Sequence, residues 1–154
     1  MELVLKVFSK ATAALLAINL FFIPAARADN SADIIGQWLY YKVVYKGQLI
    51  DPLDPKLVMT FIFSDDGSNT LAFHRKDEVG FCERRAVWYF DEVRKELQQK
   101  VTWANPENRG DCSRDPDFQV GHESYSAFRI DQDQLYLSVP LADETIELVW
   151  KRIP

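Results

Sequence analysis

The sequence predicts an all-β fold: an eight-stranded antiparallel up-and-down barrel. Short segments in which apolar and polar residues alternate recur along the chain, and clusters of Gly, Pro, Asn and Asp separate them. Regular spacing of such strands is typical of a sandwich or a barrel. A Gly-x-Trp sequence opens the first strand and an arginine stands near the end of the last. Together these features favour a barrel that is plugged at one end.

The first four strands follow from β-favouring runs and their alternation. The first begins at Gly36, and a polar turn containing Gly67 separates the second from the third. In the second strand one face carries Leu57, Met59, Phe61 and Phe63. The fourth strand admits two orientations, and its inward residues are either Arg84, Ala86, Trp88 and Phe90, or Val87 and Tyr89. The expected boundaries are 36–45, 57–64, 70–76 and 81–91.

The last four strands alternate more clearly. The fifth carries Leu97, Gln99, Val101 and Trp103 on one face. The seventh carries Leu135, Leu137, Val139 and Leu141, and the eighth carries Ile146, Leu148, Trp150 and Arg152. The expected boundaries are 96–104, 122–130, 135–141 and 145–153. Two long connections, 46–56 and 105–121, interrupt the tight turns, and loops of this length are often functional.

The N-terminal residues predict an export signal. Two lysines precede an apolar run, and Ala26-Arg27-Ala28 fits a small-x-small cleavage site. The run is short for a transmembrane span, so an uncleaved anchor is the weaker alternative. We therefore expect a signal peptide at residues 1–28, a single barrel domain at 29–154, and a periplasmic or secreted location after cleavage near Ala28.

The composition is acidic, which limits the classes of partner. The chain has 23 Asp and Glu residues against 18 Lys and Arg, and three of the basic residues but only one acidic residue lie before position 29. The mature chain would therefore carry a net charge of about −7. Nucleic acids and anionic membranes need a basic surface, so neither is an expected partner.

The chain contains two cysteines, Cys82 and Cys112. In an exported protein an even count indicates a disulfide, with two free thiols as the alternative. Two cysteines and two distant histidines, His74 and His122, are too few for a structural zinc site. Acidic residues of the 105–121 loop lack the spacing of a calcium loop. We therefore expect neither a metal nor a cofactor.

Threading the strands as a closed meander gives the barrel two distinct ends. Both long loops and both cysteines, Cys82 and Cys112, fall at one end, which we call the open end. Trp38 and Arg152 fall together at the other, the closed end, where the guanidinium of Arg152 can stack on the indole.

The combined pattern resembles the lipocalins, within the wider calycin group. The resemblance rests on Gly36-x-Trp38, eight meandering strands, a long first loop and the final-strand Arg152, and it covers residues 36–154. It implies that Gly36, Trp38 and Arg152 are structural and that the open end admits a small, mostly apolar ligand. The chain lacks the C-terminal helix and the Thr-Asp-Tyr motif of many lipocalins, which leaves avidin-like and other eight-stranded barrels as alternatives.

Apolar residues and two arginines toward the open end form the expected ligand site. Two arginines near the mouth would suit a carboxylate or phosphate head group, unless they reach solvent or pair with acidic neighbours. The expected ligand-binding residues are Met59, Phe61, Phe73, Arg75, Arg84, Trp103, Leu137 and Val139.

The chain has no Gly-x-Ser-x-Gly elbow, and neither histidine stands in a nucleophile signature, so we do not expect an enzyme. The predicted function is that of an exported binding protein for a small amphiphilic or hydrophobic molecule, anionic if the arginines hold it. One alternative is a filled barrel that binds or inhibits a protein through its rim loops, and another is a lipocalin-type enzyme. A cavity of several hundred cubic ångströms would favour the first hypothesis.

Overall fold

The computed structural model describes residues 33–154 and shows a closed antiparallel barrel. Its strands are β1 (Gly36–Tyr45), β2 (Gln48–Ile50), β3 (Leu57–Phe63), β4 (Ser68–Arg75), β5 (Cys82–Asp91), β6 (Glu96–Ala104), β7 (Glu123–Asp131), β8 (Gln134–Leu141) and β9 (Glu144–Ile153). From β3 onward each strand pairs with the next, and β1 pairs with both β3 and β9. The predicted eight-stranded up-and-down barrel is therefore confirmed. The predicted signal peptide, residues 1–28, lies outside the described residues.

The short strand β2 is an addition to the predicted set. It lies within the connection that the sequence pattern assigned to a loop, and it forms a hairpin with the end of β1. Lys46 and Gly47 connect the two strands with φ angles of 50° and 74°. A two-residue hairpin turn of type I′ has positive φ at both positions, which the Lys-Gly pair adopts here.

The structure also settles the orientation of β5. Arg84, Ala86 and Phe90 are buried, whereas Val87 and Tyr89 are 49% and 63% exposed. The arginine-containing face therefore points into the barrel, as in the first of the two predicted orientations. Among residues 33–154 no helix is long and apolar enough to cross a membrane.

The closed end is built from the first and last strands. Trp38 is fully buried and lies directly opposite Arg152 in the β1–β9 ladder. The guanidinium carbon of Arg152 lies 4.2 Å from the centroid of the Trp38 ring, and Arg152 Nη1 donates to the Ile35 carbonyl at 2.8 Å. Gly36 has a φ of +138°, and a Cβ there would stand 2.6 Å from Arg152 Nη1. The backbone conformation therefore requires glycine at this position, and a larger residue would also displace the Arg152 guanidinium.

Replacing Arg152 by alanine should lower the free energy of unfolding by about 1–3 kcal/mol, because the indole of Trp38 loses its cover and the carbonyls of Asp33 and Ile35 lose their donor. Urea denaturation measures this effect. Arg94→Ala is the matched control, since Arg94 lies in an exposed turn and should change stability by only about 0.5 kcal/mol. An Arg152→Ala protein as stable as the control would contradict a structural role for Arg152.

Apolar side chains fill the closed half of the barrel and a smaller cluster covers the open end. The larger cluster comprises Ile34, Trp38, Phe61, Phe63, Leu97, Leu135, Leu137 and Trp150. The smaller cluster comprises Cys82, Cys112 and Phe118, with Leu71 and Phe73 packed against it. The cavity described next is bounded by members of both clusters.

Candidate functional site

The barrel encloses a cavity of about 560 Å³. This volume falls within the range of about 300–1,000 Å³ that is typical of small-molecule sites. The lining combines apolar residues with polar and charged ones, and it consists of Met59, Phe61, Leu71, Phe73, Arg84, Gln99, Asp115, Asp117, Phe118, His122, Glu123, Ser124, Tyr125, Ser126, Leu137, Val139, Pro140, Leu148 and Trp150.

The rim loop, residues 105–122, folds over the open end. Cys82 at the start of β5 is joined to Cys112 of the loop, with Cα atoms 5.8 Å apart, so the predicted pairing of the two cysteines is present. Two short 3₁₀ helices, Cys112–Arg114 and Pro116–Phe118, follow the bridge. They place the buried ring of Phe118 against Phe73, with 5.5 Å between the ring centroids.

Polar contacts fasten the rim loop to β5 and to the preceding turn. The side chain of Asn108 accepts from the Glu83 amide at 2.7 Å and donates to the Glu83 carbonyl at 2.9 Å. Arg109 donates to Glu78 at 2.7 Å and lies so close to Gly80 that a Cβ there would stand 2.5 Å from Arg109 Cγ. The loop is therefore held by more than its disulfide.

The barrel wall is interrupted between β7 and β8. Their ladder contains four pairs, from Phe128↔Leu137 to Asp131↔Gln134. Within the described part of the chain, residues 123–127 of β7 pair only with β6, and residues 138–141 of β8 pair only with β9. Consecutive residues 123–126 all line the cavity, although side chains alternate faces along a strand, so the edge of β7 itself borders the opening.

A buried arginine lies in the cavity lining. Arg84 is only 4% exposed, and its guanidinium lies 5.8 Å from the centroid of the Phe61 ring. Arg84 Nη1 donates to Asn69 Oδ1 and Nη2 donates to Gln99 Oε1, both at 3.3 Å. Asn69 Nδ2 donates to the same Gln99 oxygen at 3.1 Å. The partners are neutral amides, so no carboxylate within ion-pair distance balances this charge in the described residues.

Burial lowers the pKa of the Arg84 guanidinium, and the negative charges of Asp117 and Asp115 act in the opposite direction. An arginine stays protonated despite such a shift, because its ordinary pKa is above about 12. Arg84 is therefore a permanent, poorly compensated positive charge in the cavity wall, an arrangement that costs free energy unless a ligand supplies the missing partner.

Two buried donors of the lining have no hydrogen-bond partner within residues 33–154: Arg84 Nε and Trp150 Nε1. Buried donors are almost always paired in folded proteins, so two unpaired donors around one cavity need an explanation. Both belong to residues that line the cavity, and both can only donate. A ligand that accepts hydrogen bonds, such as a carboxylate or a phosphate, fits this pair.

The rim of the cavity carries carboxylates. The Asp115 side chain accepts from the Asp117 amide at 3.0 Å, and Asp117 Oδ1 lies 3.2 Å from His122 Nε2. Glu123 is paired with Lys100 at 2.9 Å, which together with a Tyr125 hydrogen bond lowers the pKa of Glu123. In the described residues neither Asp115 nor Asp117 has a lysine or arginine within ion-pair distance. Charge in the cavity is thus positive at depth and negative at the rim.

Six of the eight predicted ligand-binding residues are brought together in the lining: Met59, Phe61, Phe73, Arg84, Leu137 and Val139. Arg75 and Trp103 are not, and the prediction needs correction at both. Arg75 lies opposite Leu57 at the end of β4, where its Nε donates to Asp54 at 2.7 Å. The acidic neighbour that binds Arg75 comes from the β2–β3 connection, 21 residues earlier.

Trp103 is turned outward by a β-bulge. The β5–β6 ladder runs in register from Asp91↔Glu96 to Ala86↔Val101 and then shifts, so that Trp103 lies opposite the exposed Arg85. A bulge adds one residue to a strand and thereby reverses the alternation beyond it. The indole stacks under the Arg85 guanidinium at 4.9 Å, outside the cavity.

Sequence patterns did not identify the rim residues Asp115, Asp117, Phe118 and His122 as parts of the cavity. No periodicity exists in a loop, so the only available signals were its length and the position of Cys112. The cavity residues Gln99 and Trp150 were recognisable by their alternation, since both belong to the inward faces predicted for their strands.

One group of potential metal ligands occurs in the described residues: Cys82, Asp111 and Cys112. The two sulfurs are bonded to each other, and metal binding by cysteine requires the thiolate. Arg109 donates hydrogen bonds to the Asp111 carboxylate, which lowers the pKa of Asp111 to about 2. The group is therefore the anchor of the rim loop and not a metal site.

Comparison with known proteins assigns no family. No family model matches the chain, and no curated protein matches it. A solved structure of a Schistosoma mansoni fatty acid binding protein in complex with arachidonic acid aligns with 78% of this chain and 96% of that chain, with 14% sequence identity and a TM-score of 0.38. A similarity of this extent carries no conclusion about function.

Proposed function

We propose that this protein is an exported, lipocalin-like binding protein that holds a small amphiphilic molecule with an anionic group in its barrel. The observation that carries the proposal is Arg84: a buried permanent cation with an unpaired donor, in the wall of a cavity of about 560 Å³. The hollow volume favours a binding protein over a filled interaction module, and the polar groups described above do not form a nucleophile–base pair.

The apolar lining would supply most of the affinity. Burial of apolar ligand surface contributes about 25 cal/mol per Å². Phe61, Leu71, Leu137 and Leu148 offer such surface around Arg84, while the guanidinium and the indole donor of Trp150 would orient the anionic group. We further propose a periplasmic or secreted location, because the predicted signal peptide and the disulfide both fit an oxidising compartment.

Dodecanoate and dodecanol are matched probes of this proposal, since they share the chain and differ in the charged group. Dodecanoate should bind the wild-type protein, and Trp150 should report binding through its fluorescence because it lines the cavity. Replacing Arg84 by Met should weaken dodecanoate binding about 10- to 100-fold, the effect of losing a hydrogen bond to a charged group, and should leave dodecanol nearly unchanged. Calorimetric titration measures both affinities.

Arg85→Met is the matched control, because Arg85 is the next residue but points outward onto Trp103. The affinity of the Arg85→Met protein for dodecanoate should equal that of the wild type. Equal weakening of the acid and the alcohol by Arg84→Met would contradict the assignment of the anion to Arg84. Absence of binding by either probe would favour the rim-loop interaction module instead.

A further inference from the structure

The charges of the cavity do not match a simple anion. An anionic group beside Arg84 would gain a guanidinium partner but would also face the carboxylates of Asp115 and Asp117, which interact with Arg84 through space. These two carboxylates have no lysine or arginine within ion-pair distance in the described residues. A fatty acid would pair with Arg84 but would offer no cation to Asp115 and Asp117, although Asp117 has His122 Nε2 at 3.2 Å.

Building on the proposed function, we propose that the ligand is a zwitterion with its two charges separated by a short apolar chain. Its anionic group pairs with Arg84, and its cationic group lies at the rim against Asp115 and Asp117. Two independent observations carry this inference: the rim carboxylates, and a cavity-lining arginine that is 4% exposed and has an unpaired Nε.

The inward face of β4 carries apolar residues from the level of Arg84 to the rim loop. Leu71 lies opposite Arg84 in the β4–β5 ladder, and Phe73, the next inward residue, packs against Phe118 of the rim loop. This apolar surface, which lies between a cation and two carboxylates, suits an alkyl chain with an ammonium at one end and a carboxylate at the other.

The test compares 8-aminooctanoate, octanoate and octylamine by calorimetric titration of the wild-type protein. The three probes share an eight-carbon chain and differ in their charged groups. We expect 8-aminooctanoate to bind at least about 10-fold more tightly than either probe with a single charge, because only it pairs with both regions. Arg84→Met should weaken both carboxylates and leave octylamine nearly unchanged.

The double variant Asp115→Asn/Asp117→Asn removes the negative charge of the rim, and an Asn at 115 can still accept from the amide of residue 117. In this variant the advantage of 8-aminooctanoate over octanoate should vanish. Asp65→Asn is the control, since Asp65 is exposed in the β3–β4 turn at the closed end, and it should keep the full advantage.

Two results would overturn the inference and leave the proposed function standing: octanoate binding as tightly as 8-aminooctanoate, or an advantage that survives loss of both rim carboxylates. Failure of dodecanoate, dodecanol and all three eight-carbon probes would instead overturn the binding function itself. Tightest binding by octylamine would overturn both the inference and the proposal of an anionic ligand.

Discussion

Replacing Trp38 by alanine should lower the free energy of unfolding by about 3–5 kcal/mol, the usual cost of truncating a buried aromatic residue. Trp38 is fully buried, its Nε1 donates to the Ile34 carbonyl at 2.8 Å, and Arg152 covers its ring. Removal of the Trp38 side chain would open a cavity at the closed end and leave the guanidinium of Arg152 without the ring on which it stacks. A loss of this size is a large part of the stability of an ordinary domain, about 5–15 kcal/mol.

Trp103→Ala is the matched control for this change. Trp103 is the same residue type on the outer face of the barrel, so its truncation should cost well under half as much. Urea denaturation followed by far-ultraviolet circular dichroism suits both variants, because that signal comes mainly from the backbone and not from tryptophan fluorescence. Equal losses for the two variants would show that the closed end does not have the energetic role assigned to it.

Removing the disulfide should destabilise the protein by about 3–4 kcal/mol. Cys82 and Cys112 are 30 residues apart, and the chain-entropy model gives a cross-link of that loop length about this value. Both cysteines are buried, so the variant Cys82→Ala/Cys112→Ala keeps small apolar groups in their places. The rim loop retains the contacts of Asn108 and Arg109, and we therefore expect weaker closure of the cavity and not complete loss of the loop.

Denaturation of this variant and of the wild type under reducing conditions measures the effect. Relative to the oxidised wild type, the variant and the reduced wild type should lose about the same free energy of unfolding. The reductant should leave the stability of the variant unchanged. If reduction lowered the stability of the wild type by less than about 1 kcal/mol, the disulfide would not restrict the unfolded chain as expected. Thiol titration of the unfolded wild type should find no free thiol.

The closed meander was predictable because strand alternation and turn composition are local signals, and closure followed from pairing Trp38 with Arg152. The sequence allowed two orientations of β5, and only one of them points Arg84 inward. The structure shows that orientation. Met59, Phe61, Leu137 and Val139 were predictable from alternation, because the second and seventh predicted strands each have a clear inward face.

The remainder depends on information that alternation does not contain. Trp103 continues the pattern of Leu97, Gln99 and Val101, yet a one-residue bulge reverses its direction. Arg75 continues the alternation of Leu71 and Phe73, but it lies outside the cavity lining and its charge is paired with Asp54 through a tertiary contact. The rim carboxylates reach the cavity only because the disulfide and Asn108 fix the path of a loop without periodicity.

The gap between β7 and β8 gives a ligand a route into the cavity that does not pass the rim loop. The rim loop is held by a covalent bond and by side-chain hydrogen bonds, whereas the edges of residues 123–127 and 138–141 can move apart without breaking a ladder between them. Segments with few cross-strand bonds open at lower free energy than the rest of a fold. For a bound molecule, the depth of the cavity would then govern affinity and the width of this gap would govern residence time. Under the proposed function, a tightly bound ligand would exchange through this gap while the rim loop stays bonded to β5.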